Sequence, residues 1–594
     1  MAKEKVVSSA AEGMEPSMMF TRRGFVGAAV ASGVWTAFGI PDAKERIARI
    51  GLMTDTHVRT TMESCRRVRA ALELFKAKGA EMVLNCGDLA DHHYPDGYRC
   101  YRRTVNEVYP DKATRPKEVY VYANHDMYEY KPGSKWNIDN ALPAFEDMRR
   151  LLEDPNGHTC SFVWKGLPFA VFPQNTGVKG FLSWEDYEKT VARLCEENPG
   201  KPVFVCDHVP PAGTTHHSWQ WGSENCRRVL NRFPQVVSIS GHVHGSVVSE
   251  RLIWQDQFTA INLGCLQTWG GFASGSTPPH QAKQNFGVLV MDVFRDRLVV
   301  YRHDVRDGSE VAAPWVVPLP FARETAPFRP SAAALRERRH PAFAPDASVS
   351  VKPVGSPVTG YSVEFPEVAG AQRAYMYRLE CAKKNADGNW KTFTRDDIFA
   401  DFWMAPKDRT GLAAYRLSAG FFTPGDSYRV TVTPLDWFGR PSPSISTEFT
   451  ASHPEPTTLW TAEKPQSMPF TEYGRNVAVD VDGFFTPPSG QGTLALPAGV
   501  FANLEPGKLH RFIFDVHMSQ PVGDFCAWRI SLSPKENAGR RIATVQTSPG
   551  DPGALRYVME FTPDKDFPAD CVLVMNYRSR GGRLRMLGAE LQRA

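Results

Sequence analysis

Between Ile47 and Val305, short apolar runs alternate with stretches whose apolar residues recur every three or four positions, the pattern of strands interleaved with amphipathic helices. Ile50-Gly51-Leu52-Met53, Met82-Val83-Leu84, Val119-Tyr120-Val121-Tyr122, Val203-Phe204-Val205 and Val236-Val237-Ser238-Ile239 read as strands. Cys65 to Lys78, Leu142 to Leu152 and Trp184 to Glu196 read as helices. This alternation predicts an α/β domain. Polar residues rich in His and Asp follow the strands closely, and sites in α/β folds gather at the carboxyl ends of strands. Residues from Pro330 to Pro345 mix Pro, Ala and Arg and read as a linker. Beyond it the helical period fades. Alternating runs such as Tyr361-Ser362-Val363-Glu364-Phe365 and Tyr375-Met376-Tyr377-Arg378-Leu379 predict all-β structure. The chain therefore divides into a leader (1–45), an α/β domain (46–325), a linker (326–348), a β-sandwich (349–452), a second linker (453–470) and a last β-sandwich or jelly roll (471–594).

Composition narrows the class. The 594 residues correspond to about four domains at ~150 residues each. With 42% hydrophobic and 23% charged residues, and 46 each of Gly and Pro, the chain fits a loop-rich, β-rich globular protein and excludes disorder, collagen-like repeats and a polytopic membrane protein. A net charge of +4 is too small to suggest a generic electrostatic grip on nucleic acid. The 11 cysteines form no CxxC pair, which excludes a zinc-ribbon pattern. Most read as buried thiols. Cys526 and Cys571 are the only two near the C-terminus, but pairing is not legible in sequence.

Two segments carry resemblances. Thr21-Arg22-Arg23-Gly24-Phe25-Val26, followed by an uncharged run from Gly27 to Ile40 that ends at Pro41-Asp42, resembles a twin-arginine export signal. The run falls short of the ~20 apolar residues of a spanning helix. The resemblance implies export of an already folded protein to the periplasm, the cell surface or the medium. No A-x-A cleavage site is visible, so retention as an uncleaved anchor stays open. Further on, Thr423-Pro424-Gly425-Asp426-Ser427-Tyr428-Arg429-Val430, followed by Asp436-Trp437-Phe438-Gly439, resembles the penultimate strand and turn of a fibronectin type III-like sandwich, with Tyr428 as its corner tyrosine.

Five motifs carry the chemistry: Asp55-Thr56-His57, Gly87-Asp88-Leu89-Ala90-Asp91, Asn124-His125-Asp126, His208 within Cys206-Asp207-His208-Val209-Pro210-Pro211, and Gly241-His242-Val243-His244. Together they offer carboxylates, an amide oxygen and imidazoles, a donor set for two ions of zinc, iron or manganese, whereas a Mg or Ca site would lack so much histidine. One bridging carboxylate can hold two ions ~3.5–4 Å apart, which suits attack on a phosphoryl group.

In this order the motifs D-x-H, G-D-x-x-D, N-H-D, H and G-H-x-H resemble those of the calcineurin-like metallophosphoesterases, across roughly residues 47–305. The resemblance implies a β-sandwich flanked by helices and two divalent or trivalent metal ions. It assigns Asp55, His57 and His244 to the first ion, Asn124, His208 and His242 to the second, Asp88 as the bridge, His125 as the catalytic histidine outside the metal shell, and Asp91 as the residue that orients it. A metal-bridged hydroxide would then attack phosphorus in line, with His125 protonating the leaving group. Asp126 is expected to bond a ligand histidine. Ala123 stands where the family commonly has glycine, and this modestly reshapes the turn without losing a ligand. His92-His93 replaces the arginine and glycine of the protein serine/threonine phosphatases, and Asp91 stands where purple acid phosphatases place tyrosine. The motifs look most like the bacterial cyclic-nucleotide and glycerophosphodiester phosphodiesterases.

His92, His93, His216, His217, Trp219, Trp221 and Trp269 lie in loops beside the motifs, where they would cover the core or line a pocket mouth. Arg99, Arg102 and Arg103 read as a solvated cluster ahead of a phosphate contact, and Trp390, Trp403 and Trp437 as core residues or a sugar platform. The leading reading is an exported dinuclear phosphoric ester hydrolase, phosphodiesterase or phosphomonoesterase, acting on a small phosphate ester, its C-terminal β domains touching glycan or cell envelope. The alternatives are a nuclease, disfavoured by charge, and an envelope-bound adhesion protein with an inactive hydrolase core.

Overall fold

The computed structural model describes residues 45–59, 62–91, 95–127, 141–157, 159–174, 176–178, 181–267, 286–331, 340–368, 373–404, 408–462, 469–472, 475–485, 490–518, 528–547, 553–577 and 583–594. Residues 1–44 lie outside the described residues, and with them the segment that resembles a twin-arginine signal. Among the described residues, no helix is long and apolar enough to cross a membrane.

The α/β region runs β1 (Ala48–Met53), α1 (Met62–Lys78), β2 (Met82–Asn85), α2 (Pro95–Val108), β3 (Lys117–Tyr120), α3 (Ala141–Leu151), β4 (Cys160–Trp164), β5 (Leu167–Val171), α4 (Trp184–Glu197), β6 (Val203–Cys206), α5 (Ser218–Trp221), α6 (Glu224–Leu230), β7 (Val236–Ser240), β8 (Ile253–Gln255), β9 (Thr259–Asn262), β10 (Gly287–Val293), β11 (Arg297–Asp304) and β12 (Glu310–Pro318). One six-stranded sheet has the order β12-β11-β10-β1-β2-β3, the other β4-β5-β6-β7-β9-β8. β1, β2 and β3 are parallel, as are β5, β6, β7 and β9, while antiparallel strands complete each sheet.

Strand alternation decides what each face meets. Ile50, Leu52 and Leu84 point into a core shared with Phe169, Phe204 and Ile239 of the second sheet. Met53 and Val83 point the other way, onto Val68, Ala71, Leu72 and Phe75 of α1 and onto α2 and α3. That α1 set recurs every three or four residues, which makes one apolar stripe. Tyr187, Val191 and Leu194 of α4 cover the outer face of the second sheet in the same way, and the Ser183 hydroxyl caps α4 by accepting the Asp186 N–H at 3.0 Å. The fold class read from the chain, a helix-flanked α/β sandwich followed by antiparallel all-β sheets, is therefore the one observed. A disulfide between Cys65 and Cys100 ties α1 to α2, so these two are not the thiols expected. Cys86, Cys206, Cys226, Cys265, Cys381 and Cys571 are buried thiols. Cys526 lies outside the described residues.

Downstream, a three-stranded sheet (Ser350–Val354, Gly360–Pro366, Leu412–Ser418) and a four-stranded sheet (Trp390–Phe399, Met376–Lys384, Ser427–Leu435, Ile445–Thr450) enclose one core. The buried Tyr428 hydroxyl accepts the Thr423 N–H at 2.7 Å and closes the turn before its strand. Trp437 is buried and stacks on Tyr375 at 4.2 Å, and Trp390 lies beneath the Arg429 guanidinium. The Trp403 side chain lies outside the described residues. A last pair of sheets, one of four strands and one of six, closes around a third core. Here the second linker needs correction: Thr457–Thr461 is a strand, paired antiparallel with the C-terminal strand Leu584–Arg593. Leu459 and Trp460 pack on the core, a role that depends on a partner more than a hundred residues away and so leaves little local signal.

Candidate metal centre

Every motif falls just beyond a strand of the two parallel sets: Asp55 and His57 after β1, Asp88 after β2, Asn124 and His125 after β3, His208 after β6, His242 and His244 after β7. Such ends converge because the sheets pack face to face with their carboxyl ends at one edge. The backbone is forced there. Asp55, His57, Asp88, His242 and His244 have φ of 50°, 39°, 49°, 71° and 50°, a left-handed conformation that costs an L-residue about 1–2 kcal/mol each. Strain concentrated at five polar, buried or half-buried positions points to function.

The side chains form two groups that share one carboxylate: Asp55, His57, Asp88 and His244, and Asp88, His208 and His242, with the ligand atoms of each group within 4.8 Å of one another. His244 Nε2 lies 2.9 Å from Asp55 Oδ1 and 3.1 Å from His57 Nε2. His208 Nε2 lies 3.2 Å from Asp88 Oδ2. Because the Cys86 carbonyl can only accept, the 2.7 Å contact to His208 Nδ1 fixes the proton there and turns the Nε2 lone pair into the cluster. Asn124 Oδ1 is buried without a hydrogen-bond partner, and Asp55 Oδ1 and His208 Nε2 are buried facing only the imidazole and carboxylate of the cluster itself. Orphaned lone pairs converging on shared carboxylates are costly unless a cation satisfies them, and the mixed imidazole, carboxylate and amide set fits borderline divalent or trivalent ions.

With this geometry in place, residues 48–246 match the family model described as calcineurin-like phosphoesterase. Over these residues the chain is similar to the calcineurin-like phosphoesterases. Among solved structures it resembles a dimetal phosphatase from Danio rerio, at 13% identity over 46% of this chain and 99% of that one, with a TM-score of 0.32. It also resembles a purple acid phosphatase from yellow lupin (Lupinus luteus) seeds, at 13% identity over 50% of this chain and 57% of that one, with a TM-score of 0.33. No curated protein matches the sequence.

In this site, His125 donates its backbone N–H to Asp88 Oδ1 at 2.9 Å, which sets the Asn124-His125-Asp126 turn against the shared carboxylate. The His125 ring lies partly open, its Nδ1 3.0 Å from Asp91 Oδ1, while Arg59 Nε donates to Asp91 Oδ2 at 2.6 Å. Burial alone would raise Asp91, but hydrogen bonds from His125 and His57 and the Arg59 charge hold it well below the usual carboxylate range. Asp55 and Asp88 follow the same logic: the imidazoles around them overcome burial and keep both anionic. Burial and the neighbouring His208 push His242 down to about 4, so it presents a neutral ring.

Asp126 departs from expectation. Instead of a ligand histidine, its carboxylate accepts the Ala90 N–H at 3.1 Å, the Ala123 N–H at 3.3 Å and the Tyr98 hydroxyl at 3.1 Å, joining the loop after β2 to the turn after β3. Burial and the Asp88 charge push it up to about 7. Gly87, at φ 98°, is obligatory, since a Cβ there would sit 2.6 Å from His208 Nδ1 and 2.7 Å from the Ala123 side chain. Ala123 itself is buried without positive φ.

Sequence reasoning missed three supports. Gln174 Oε1 accepts the Asn124 N–H at 2.8 Å, Asn262 Nδ2 donates to Gly241 O at 2.6 Å, and Arg59 holds Asp91. Gln174 and Asn262 sit at the ends of β5 and β9, so polar residues closing apolar strands were the available signal. Among the other residues singled out, Arg102 is buried and pairs with Glu118 at 2.8 Å, so it is not solvated, whereas Arg99 pairs with Asp96 on the surface. His216 and His217 are buried. Trp219 and Trp221 are exposed. His92, His93 and Trp269 lie outside the described residues.

Proposed function

We propose that the protein is an exported, dinuclear metal-dependent phosphoric ester hydrolase, with the twin-arginine leader supporting export. The observation that carries the reading is the pair of ligand groups sharing Asp88. Asp55, His57 and His244 would hold one ion and Asn124, His208 and His242 the other, with Asp88 between them. Bound iron, zinc or manganese supplies Lewis-acid activation of water and of the phosphoryl oxygens.

His125 supplies the proton for the leaving oxygen. With Nδ1 directed at Asp91, Nε2 would be the nitrogen that delivers it. Asp91, gripped on its other oxygen by Arg59, keeps the ring from turning. Asp126 and Gln174 hold the turn that carries His125 and Asn124. The substrate class is a small phosphodiester or phosphomonoester met outside the cytoplasm, such as a nucleotide, a glycerophosphodiester or a lipid head group. The middle sheets form a fibronectin type III-like sandwich, supported by the Tyr428 corner, and the β regions make contact with glycan or cell envelope.

The test is hydrolysis of chromogenic phosphomonoester and phosphodiester substrates by the full chain loaded with manganese, or with zinc and iron, beside Asp88→Asn and His125→Ala. Asp88→Asn should lose metal and activity. His125→Ala should keep its metal and lose about 10²–10⁴-fold in kcat. A wild-type chain that neither retains metal nor turns over either ester overturns the reading and favours the adhesion protein.

A further inference from the structure

The loop between β6 and α6 is built more tightly than a connector requires. Ala212 N–H donates to Ser223 O at 3.1 Å and Ser223 N–H to Pro210 O at 2.9 Å, which closes the loop at its base. Thr214 N–H donates to Ser218 Oγ at 2.8 Å, and that hydroxyl donates to Thr215 O at 2.7 Å. His216 N–H reaches Arg251 O at 2.8 Å, and His217, buried at φ 59°, opens α5. Gly222 allows the return, because a Cβ there would lie 2.2 Å from Ser218 O and 2.6 Å from Ala212 Cα.

What this frame presents to solvent is aromatic. Trp221 is 49% exposed, and its ring meets the His242 ring edge to face, with centroids 6.1 Å apart at 79°. A half-open indole is an apolar surface left wet, and here it is held rigidly beside a candidate metal ligand. Two of the loop's hydroxyls are engaged with its own backbone, Ser218 Oγ on Thr215 O and Thr214 Oγ1 on Pro211 O, and the Thr215 hydroxyl is buried. They are not arranged to meet the hydroxyls of a sugar.

We propose that Trp221 is the wall against which a planar aromatic ring of the substrate stacks, so that the preferred ester carries an aryl or nucleobase group. The inference rests on the phosphoester reading above and adds a substrate class to it. Stacking on an aromatic side chain tolerates many ring types because every such ring offers a π-face.

The test uses phosphonates, which cannot be hydrolysed at the P–C bond. Methylphosphonate, cyclohexylmethylphosphonate and benzylphosphonate are titrated calorimetrically into the manganese-loaded full chain, into Trp221→Ala and into Trp221→Phe. Benzylphosphonate should bind about ten-fold more tightly than methylphosphonate and more tightly than its cyclohexyl counterpart. The ratio should fall to near one in Trp221→Ala and survive in Trp221→Phe, with metal content unchanged as the check on folding. If methylphosphonate binds but the ring adds nothing, or Trp221→Ala keeps the ratio, the stacking wall is wrong and the hydrolase reading stands. Equal affinity for the cyclohexyl and benzyl compounds also overturns it, in favour of a general apolar contact. If no phosphonate binds and no ester is hydrolysed, both fail together.

Discussion

Replacing Gly87 by alanine tests whether the second ligand group is a built site. Two separable effects act there. At φ 98° an L-residue is strained, at about 1–2 kcal/mol. The added methyl would also sit 2.6 Å from His208 Nδ1, the atom that holds the ring on the Cys86 carbonyl at 2.7 Å, and 2.7 Å from the Ala123 methyl. Ala123 is locked in the core, so the imidazole must give, and overpacking of this kind costs about 1–3 kcal/mol. Together Gly87→Ala should destabilise the α/β region by about 2–5 kcal/mol and swing His208 Nε2 away from Asp88. Gly79→Ala is the control: its φ is 72° with nothing within 4 Å of the added carbon, so it shares the strain without the clash. Thermal unfolding and metal content are measured on both variants. Gly87→Ala should unfold earlier than Gly79→Ala and lose the second ion, with activity falling further than stability does. If the two variants unfold together and both keep two ions, the clash argument and the placement of His208 are refuted.

Three further outcomes are expected. Arg302, 1% exposed, holds Glu250 at 2.7 Å and Val248 O at 3.1 Å beneath its cation-π contact with Trp315, so Arg302→Ala should cost about 1.5–3 kcal/mol in denaturant unfolding and loosen the segment after His244. Removing the Cys65–Cys100 bridge, which spans 35 residues, by a double Cys→Ala change should cost about 3–4 kcal/mol. A dithiol reductant should then affect the parent and not the variant. Burial pushes Glu367 up to about 7 from an ordinary 4.5, with the Asp401 charge adding and the 2.7 Å Tyr377 hydroxyl bond opposing. Its folded pKa is raised, so the stability it allows is complete below 4.5 and is lost as pH rises through 7. Glu367→Gln should therefore stabilise the chain by up to about 3 kcal/mol at alkaline pH and leave it unchanged near pH 4, and melting curves across that range check the sign.

How much was legible depends on how far each contact reaches along the chain. Strand and helix periods are local, so β1, β2, β6, β7, α1 and α4 appeared in sequence within a few residues of their observed bounds. The metal-ligand types were legible for the same reason, since each motif is a short polar turn closing an apolar strand. By itself the sequence determined the α/β class, the order of the motifs and the donor chemistry. Tertiary structure alone decided what faces those donors. Asp126 exchanges the expected ligand histidine for Ala90 and Ala123 N–H groups, because only packing brings two loops 36 residues apart to one carboxylate. The Cys65–Cys100 pair and the strand Thr457–Thr461 likewise depend on partners no local pattern names. Trp221 is half-open although tryptophan is ordinarily buried, because the pinned loop around it leaves the ring no core to enter.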